Sequence, residues 1–260
     1  MRRRDLARSV VRPFLLALVP LAMVVAGCNV LPGIGDTTGP GQRAADYLRP
    51  TPYTSIVVEL DFVNGAEPEQ AALSLFEQRF EAATGKPVDI VRSGGVPGKG
   101  PAHRYTRDEL VDLERQHRSQ HSGGDRAVLY VLWLDGGFER DSDETKTLGA
   151  AYRGSAVAMF KANLRFASRA GPLDLTKPPL VEVEQSVFVH ELGHVLGLVN
   201  LGTPMVTPHE DPGNRGHSNN RASVMYWAVE TSAIGALLGQ NPPDDFDAND
   251  KADLRRMREG

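Results

Sequence analysis

Cysteine is almost absent from this chain: Cys28 is the single one in 260 residues. A mature protein starting there can form no internal disulfide and no cysteine-ligated metal site, so any metal has to be held by histidine and oxygen. Basic clusters are also missing beyond the N-terminus. Removing residues 1–27 takes five arginines and Asp5 from the 29 basic and 33 acidic residues, leaving 24 against 32, a formal charge of −8. Such an acidic surface argues against nucleic acid as a partner. Long apolar runs are scarce too. The one candidate, residues 14–26, is short against the roughly 20 residues that cross about 30 Å of hydrocarbon. No internal repeat with a period of about 20–50 residues is visible.

What the N-terminus does have is the layout of an export signal. Arg2, Arg3, Arg4, Arg8 and Arg12 form a basic region, residues 14–26 an apolar one, and Val25-Ala26-Gly27-Cys28 a small-residue cleavage site. That tetrapeptide resembles a bacterial lipobox. The resemblance implies that residues 1–27 are removed, that Cys28 is lipidated, and that the folded part stands outside the cytoplasm, anchored to a membrane of the cell envelope. Residues 28–53 carry Gly33, Gly35, Gly39 and Gly41, with prolines at 32, 40, 50 and 52 and no apolar period, and read as a flexible tether. The folded domain is then expected over 54–260.

Within it, residues 55–62 are a β-rich run of strand length, and residues 68–84 repeat Ala72, Leu75, Phe76, Phe80 and Ala83 at helical spacing before Gly85. A short strand over 88–91 and a glycine-rich loop over 93–100 lead to a helix over 106–120. Thr106 stands at its N-cap position, with Asp108 and Glu109 in the first turn. Residues 127–134 form the most apolar strand and are therefore expected in the centre of a sheet. Residues 149–160 add one or two strands around Gly154. The order is βαβαββ followed by one more helix, an α/β (α+β) fold: a mixed twisted sheet with helices, a lobe to about residue 197, and a small irregular lobe over 198–260.

The last helix of the first lobe carries His190-Glu191-Leu192-Gly193-His194. Residues four apart share one helix face, so His190 and His194 can direct both rings to one ion. A hydrolytic zinc site takes three protein ligands and keeps its fourth position for water. Glu191 stands beside the first histidine, where its carboxylate can take a proton from that water and pass it to a leaving amine. Phe188, Leu192 and Val195 form an apolar flank, Gly193 costs about 1 kcal/mol of helix propensity unless a close contact offsets it, and Gly197 can end the helix at positive φ. One catalytic Zn²⁺ is the implied cofactor.

Residues 190–197 resemble the HExxHxxG core of the metzincin metallopeptidases, and Ser223-Val224-Met225-Tyr226 resembles their Met-turn. The resemblance implies a sheet lobe before the active-site helix, and Met225 lying under the metal as apolar support. It also implies zinc-dependent cleavage of peptide or protein substrates. One departure is plain: a metzincin has its third histidine three residues after the glycine, and this chain has Asn200 there. Candidates downstream are His209, Asp211 and His217. The archaemetzincin pattern HExxHxxGxxHCx4CxM sets its third histidine eight positions before the methionine. His217 precedes Met225 by eight, with Ser218 and Ser223 where that pattern has cysteines. The resemblance therefore favours His217, with His209 the second choice and Asn200 and Asp211 behind, and an inserted loop over about 198–216.

Tyr226 is a candidate donor to a reaction oxyanion, although clan members carry that tyrosine one position later, at Trp227 here. His103, His117 and His121 read as surface residues. Asp247-Ala248-Asn249-Asp250-Lys251 lacks the glycine and distal glutamate of an EF-hand loop and reads as a helix cap. Two functions fit: an envelope-anchored zinc peptidase, and a non-catalytic zinc- or partner-binding lipoprotein that keeps the fold. Neither a pro-segment nor a cysteine switch is recognisable, so the sequence discloses no latency device.

Overall fold

Strand alternation sets the architecture. The computed structural model describes residues 38–169, 171 and 174–260; the export signal, Cys28 and the first part of the expected tether lie outside them. The elements run α1 (Ala44–Leu48), β1 (Ser55–Val63), α2 (Gln70–Thr84), β2 (Val88–Val96), β3 (Arg104–Tyr105), α3 (Arg107–His117) and β4 (Arg126–Leu134). They continue with β5 (Gly137–Phe138), β6 (Gly149–Tyr152), β7 (Ala156–Phe160), α4 (Lys161–Ala167) and α5 (Leu180–Val195). After α5 come β8 (Glu210–Asp211), β9 (Asn214–Ser218), a 3-10 turn (Trp227–Glu230), α6 (Ile234–Leu238) and α7 (Ala248–Glu259).

The main sheet has five strands in the order β2-β1-β4-β7-β6, all parallel except β6, which closes one edge antiparallel to β7. The expected central position of 127–134 is the one found. Along β4, Leu129, Val131 and Trp133 face one core with Val58, Leu60, Phe76 and Phe188. Tyr130, Leu132 and Leu134 face a second core with Leu110, Leu113 and Phe138. This period of two is the pleat expressed in side chains. The chain moves one way across the sheet from β1 to β2 and the other way from β2 to β4. Right-handed crossovers then set α2 and α3 on opposite faces, which is how they pack.

Helix α5 lies on the α2 face. Phe188 stacks on Phe76 with ring centroids 3.6 Å apart and meets Trp133 edge-on at 5.6 Å. At its start, buried Glu184 pairs with Lys161 and accepts from the Glu69 amide at 2.7 Å. A charge withdrawn from water needs such partners. Among the described residues, no helix is long and apolar enough to cross a membrane.

Three expectations need correction. Strand β2 runs on to Val96, so part of the expected loop over 93–100 is sheet edge. Helix α5 begins at Leu180, ten residues before His190, so Glu184, Gln185, Ser186 and Val187, expected from the sequence to lead into the motif helix, lie inside it. The larger correction concerns the tether. Within its described part, α1 buries Ala44, Tyr47 and Leu48, and the Tyr47 hydroxyl donates to the Val128 carbonyl at 3.0 Å. Gly41 serves close approach: a Cβ on it would lie 2.7 Å from Gly197 Cα, and one on Gly202 would lie 2.3 Å from the Gly41 carbonyl oxygen. Glycine admits backbone contacts that any side chain would block.

This packing is testable in the full chain. Tyr47→Ala is expected to lower unfolding free energy by about 3–5 kcal/mol, as for other buried aromatics, read from the urea midpoint. A solvated tether would leave the midpoint unmoved.

Candidate metal centre

The middle of α5 is buried on all sides; His190 and His194 meet partners supplied after the helix, and Glu191 one supplied before it. His190, Glu191 and His194 are at most 1% exposed, as is His217. His217 comes from β9, the second strand of a small hairpin over 210–218, so the expected inserted loop is partly ordered as sheet. Ligand-capable atoms of His190, His194, His217 and Glu230 all lie within 4.8 Å of one another. Ring centroids of the three histidines are 4.6 to 5.2 Å apart.

Glu230, at the end of the 3-10 turn, had no place in the sequence reading. Its carboxylate lies 3.7 Å from His190 Nε2, 3.8 Å from His194 Nε2 and 3.3 Å from His217 Nε2. Five residues beyond Met225, no motif marks it; the only signal is a lone acid closing an apolar stretch, Trp227-Ala228-Val229-Glu230.

Local structure aims the rings. His190 Nδ1 sits 2.6 Å from the Val224 carbonyl, which can only accept, so Nδ1 carries the proton and Nε2 turns a lone pair towards the cluster. Val224 belongs to the turn that carries Met225. Its neighbour Met225 is fully buried against α5, and a Cβ on Gly193 would lie 2.1 Å from the Met225 Sδ. That contact offsets the propensity cost of glycine in mid-helix. Gly197, at φ 72°, then lets the chain leave α5.

Glu191 points to the sheet edge and accepts from the Ala151 amide of β6 at 2.6 Å. Burial first, and then the negative charge of Glu230, push its carboxyl well above the ordinary carboxylate range. Burial acts on Glu230 in the same sense, but the neighbouring imidazoles, His217 first and then His190, outweigh it and hold Glu230 below that range. Burial and the neighbouring His190 and His217 depress His194. The two carboxylates are thus driven apart, Glu191 upwards and Glu230 downwards.

The remaining candidates sit elsewhere. Asn200 is exposed and reaches Glu210 at 3.4 Å, and Asp211 accepts from Gly213 and Asn214 within the hairpin turn. His209, the second choice for third ligand, is drawn away: Nδ1 donates to the Thr207 carbonyl at 2.8 Å, and Nε2 faces Asp250 at 3.2 Å and Asp253 at 3.7 Å. The same Asp250 accepts from Ser223 at 2.6 Å, and Ser223 Oγ accepts from the Met225 amide at 2.9 Å. His209 therefore braces the Met225 turn against α7. Asp247 caps α7 with Asp250 as its reciprocal partner, in keeping with a cap and not a calcium loop. Tyr226 is half-buried beside Trp227. His103 pairs with Glu109 at the surface, away from the cluster.

The donor set suits a metal. His190 Nε2, His194 Nε2 and Glu230 Oε2 are buried without a hydrogen-bond partner, an arrangement that costs energy unless something positively charged unites them. Three imidazoles and a carboxylate are ligands that zinc accepts.

The architecture is that of archaemetzincin-like peptidases. Archaemetzincin from Methanopyrus kandleri superposes with a TM-score of 0.51 at 18% identity, over 78% of this chain and 96% of that one. A zinc-dependent peptidase from Methanocorpusculum labreanum gives 0.45 at 16% identity, over 76% of this chain and 99% of that one. No family model matches the chain, and no curated protein does.

Two measurements test this framework. Gly193→Ala gains about 1 kcal/mol of helix propensity but drives a methyl into Met225. Overpacking of about 1–3 kcal/mol should win, and the melting temperature should fall; a rise would mean that Met225 moves aside freely. The His209 brace gives a pH signature. Asp250 above all, with Thr207 and Asp253, raises His209 to about 9, against an ordinary value of about 6.5. Its contribution, on the order of 2 kcal/mol, is complete below about pH 6.5 and lost as pH rises through 9. His209→Gln should flatten that slope in urea titrations.

Proposed function

We propose that this chain is a zinc-dependent peptidase that cleaves peptide bonds in peptide or protein substrates, with His190, His194 and His217 as metal ligands and Glu191 as the proton carrier. The observation that carries the reading is Glu191, buried beside the three histidines, with one oxygen on the Ala151 amide and Oε1 without a hydrogen-bond partner. A purely structural site has no use for such a group.

The ion supplies Lewis-acid polarisation of the scissile carbonyl and of the attacking water. The chain does the rest. Glu191 accepts the proton of the water and returns it to the leaving amine. The Ala151 amide fixes the orientation of Glu191, and the Val224 carbonyl that of His190. Met225 gives the helix a firm apolar floor. Export through residues 1–27 and lipidation at Cys28 would set this chemistry on the outer side of a membrane, within reach of envelope proteins.

A second reading draws on Glu230: four protein donors around one ion describe a closed site, as in structural zinc proteins, and fit a non-catalytic binding lipoprotein. The two readings differ in outcome. In the first, the full chain takes up one zinc, and Glu191→Gln keeps it while hydrolysis of an unfolded protein drops by roughly 10²–10⁴. Zinc removal abolishes the activity and re-addition restores it. Stoichiometric zinc without hydrolysis in any form of the protein, including Glu230 variants, would select the second, and absence of zinc uptake sinks both.

A further inference from the structure

A working hydrolytic site leaves one metal position to water, yet here a side chain stands in that place. Ligand atoms of a tetrahedral ion with bonds of about 2.0–2.1 Å lie roughly 3.3–3.4 Å apart. Glu230 Oε1 lies 3.3 Å from His217 Nε2, and Oε2 lies 3.7 and 3.8 Å from the Nε2 atoms of His190 and His194. The carboxylate thus faces all three imidazoles, on the side where a fourth ligand would stand. It is 3% exposed, so water does not compete for it.

The way Glu230 is held differs from the way the helical histidines are held. It ends a single 3-10 turn, and the backbone after it runs along the segment leading into β6. The Glu230 carbonyl accepts from Leu148 at 2.9 Å, Ser232 donates to the Lys146 carbonyl at 3.0 Å, and Thr147 bridges Thr231 in antiparallel sense. The strap thus adds a short stretch of chain to the outer edge of the sheet, next to the strand that holds Glu191. Antiparallel bonds at an edge are bonds that another extended chain can replace. His190 and His194, by contrast, are fixed in a sixteen-residue helix.

Resting on the peptidase reading above, we propose that Glu230 is a built-in and displaceable fourth metal ligand. The chain as folded is then latent, and it becomes active when the 227–232 strap leaves the sheet edge and takes the carboxylate with it. Chain entering along that edge and the strap compete for the same backbone groups. Latency so arises within the domain, with no separate pro-segment.

Cobalt replaces zinc as a coloured probe in the full-length protein. The parent should bind one Co²⁺ with an intense visible spectrum that azide does not change, because no position is exchangeable. Glu230→Gln and Glu230→Ala should each shift that spectrum, make it sensitive to azide, and weaken Co²⁺ binding at least roughly tenfold. Hydrolysis of an unfolded protein by the zinc forms should rise above the parent, and circular dichroism checks that both variants are folded. A parent spectrum already sensitive to azide overturns the proposal. So does an unchanged spectrum in the variants, or a loss of hydrolysis in folded Glu230→Gln. If neither parent nor variants take up cobalt, the metal-site reading fails and takes this proposal with it, an outcome distinct from the others.

Discussion

Withdrawing two carboxylates and three imidazoles from water is the constraint on which the rest of this structure depends. An ionised group so buried costs several kcal/mol unless its surroundings replace the lost hydration, and Glu191 and Glu230 are no more than 3% exposed. Everything near α5 works towards that replacement. The β6 backbone gives Glu191 an amide, the turn at Val224 gives His190 an acceptor, and β9 brings His217 against Glu230. The partners come from both sides of the helix, so the sheet and the segment after α5 must close on it together.

The closure is tied down by a second, separate polar cluster. Asp250 receives the Ser223 hydroxyl and the Asp247 amide on one oxygen and His209 on the other. Through Ser223 it holds the turn that carries Val224 and Met225, and through Asp247 it caps α7. The orientation of the His190 ring on α5 thus depends on the capping box of α7, Asp247 with Asp250. His209 belongs to this brace, which explains why a histidine with plausible spacing is absent from the metal cluster: Asp250 and Asp253 offer it a better electrostatic partner than a crowded, cation-seeking centre.

The helical and central parts of the fold were legible because each is written in a local period. Phe76 and Phe80 mark one face of α2, residues 127–134 are apolar on both faces as a central strand must be, and His190 and His194 are four apart for a chemical reason. Features that depend on two distant backbones meeting were not legible. Gly41 stands in a stretch with the composition of a linker, and nothing local reveals that Gly197 and Gly202 leave room for it. Glu230 is the same problem at the site: its role arises from the Thr147–Thr231 bridge, a pairing across more than eighty residues. His217 was reached by the spacing of a family resemblance, and its position beside His190 and His194 depends on a two-strand hairpin that no periodicity announces.

Charge balance links the two carboxylates. Without an ion, Glu230 takes its compensation from the imidazoles, and Glu191, facing the same negative charge in a dry site, is pushed well above the ordinary carboxylate range. With one dication among three neutral imidazoles, the cluster reaches zero net charge only when both carboxylates are ionised. Low surrounding dielectric favours that sum over any other, so metal uptake would favour the ionised form of Glu191. An ion bound there would thus do more than polarise a substrate: it would favour the ionised Glu191 that a proton acceptor needs, beside a Glu230 carboxylate that already faces the same three imidazoles.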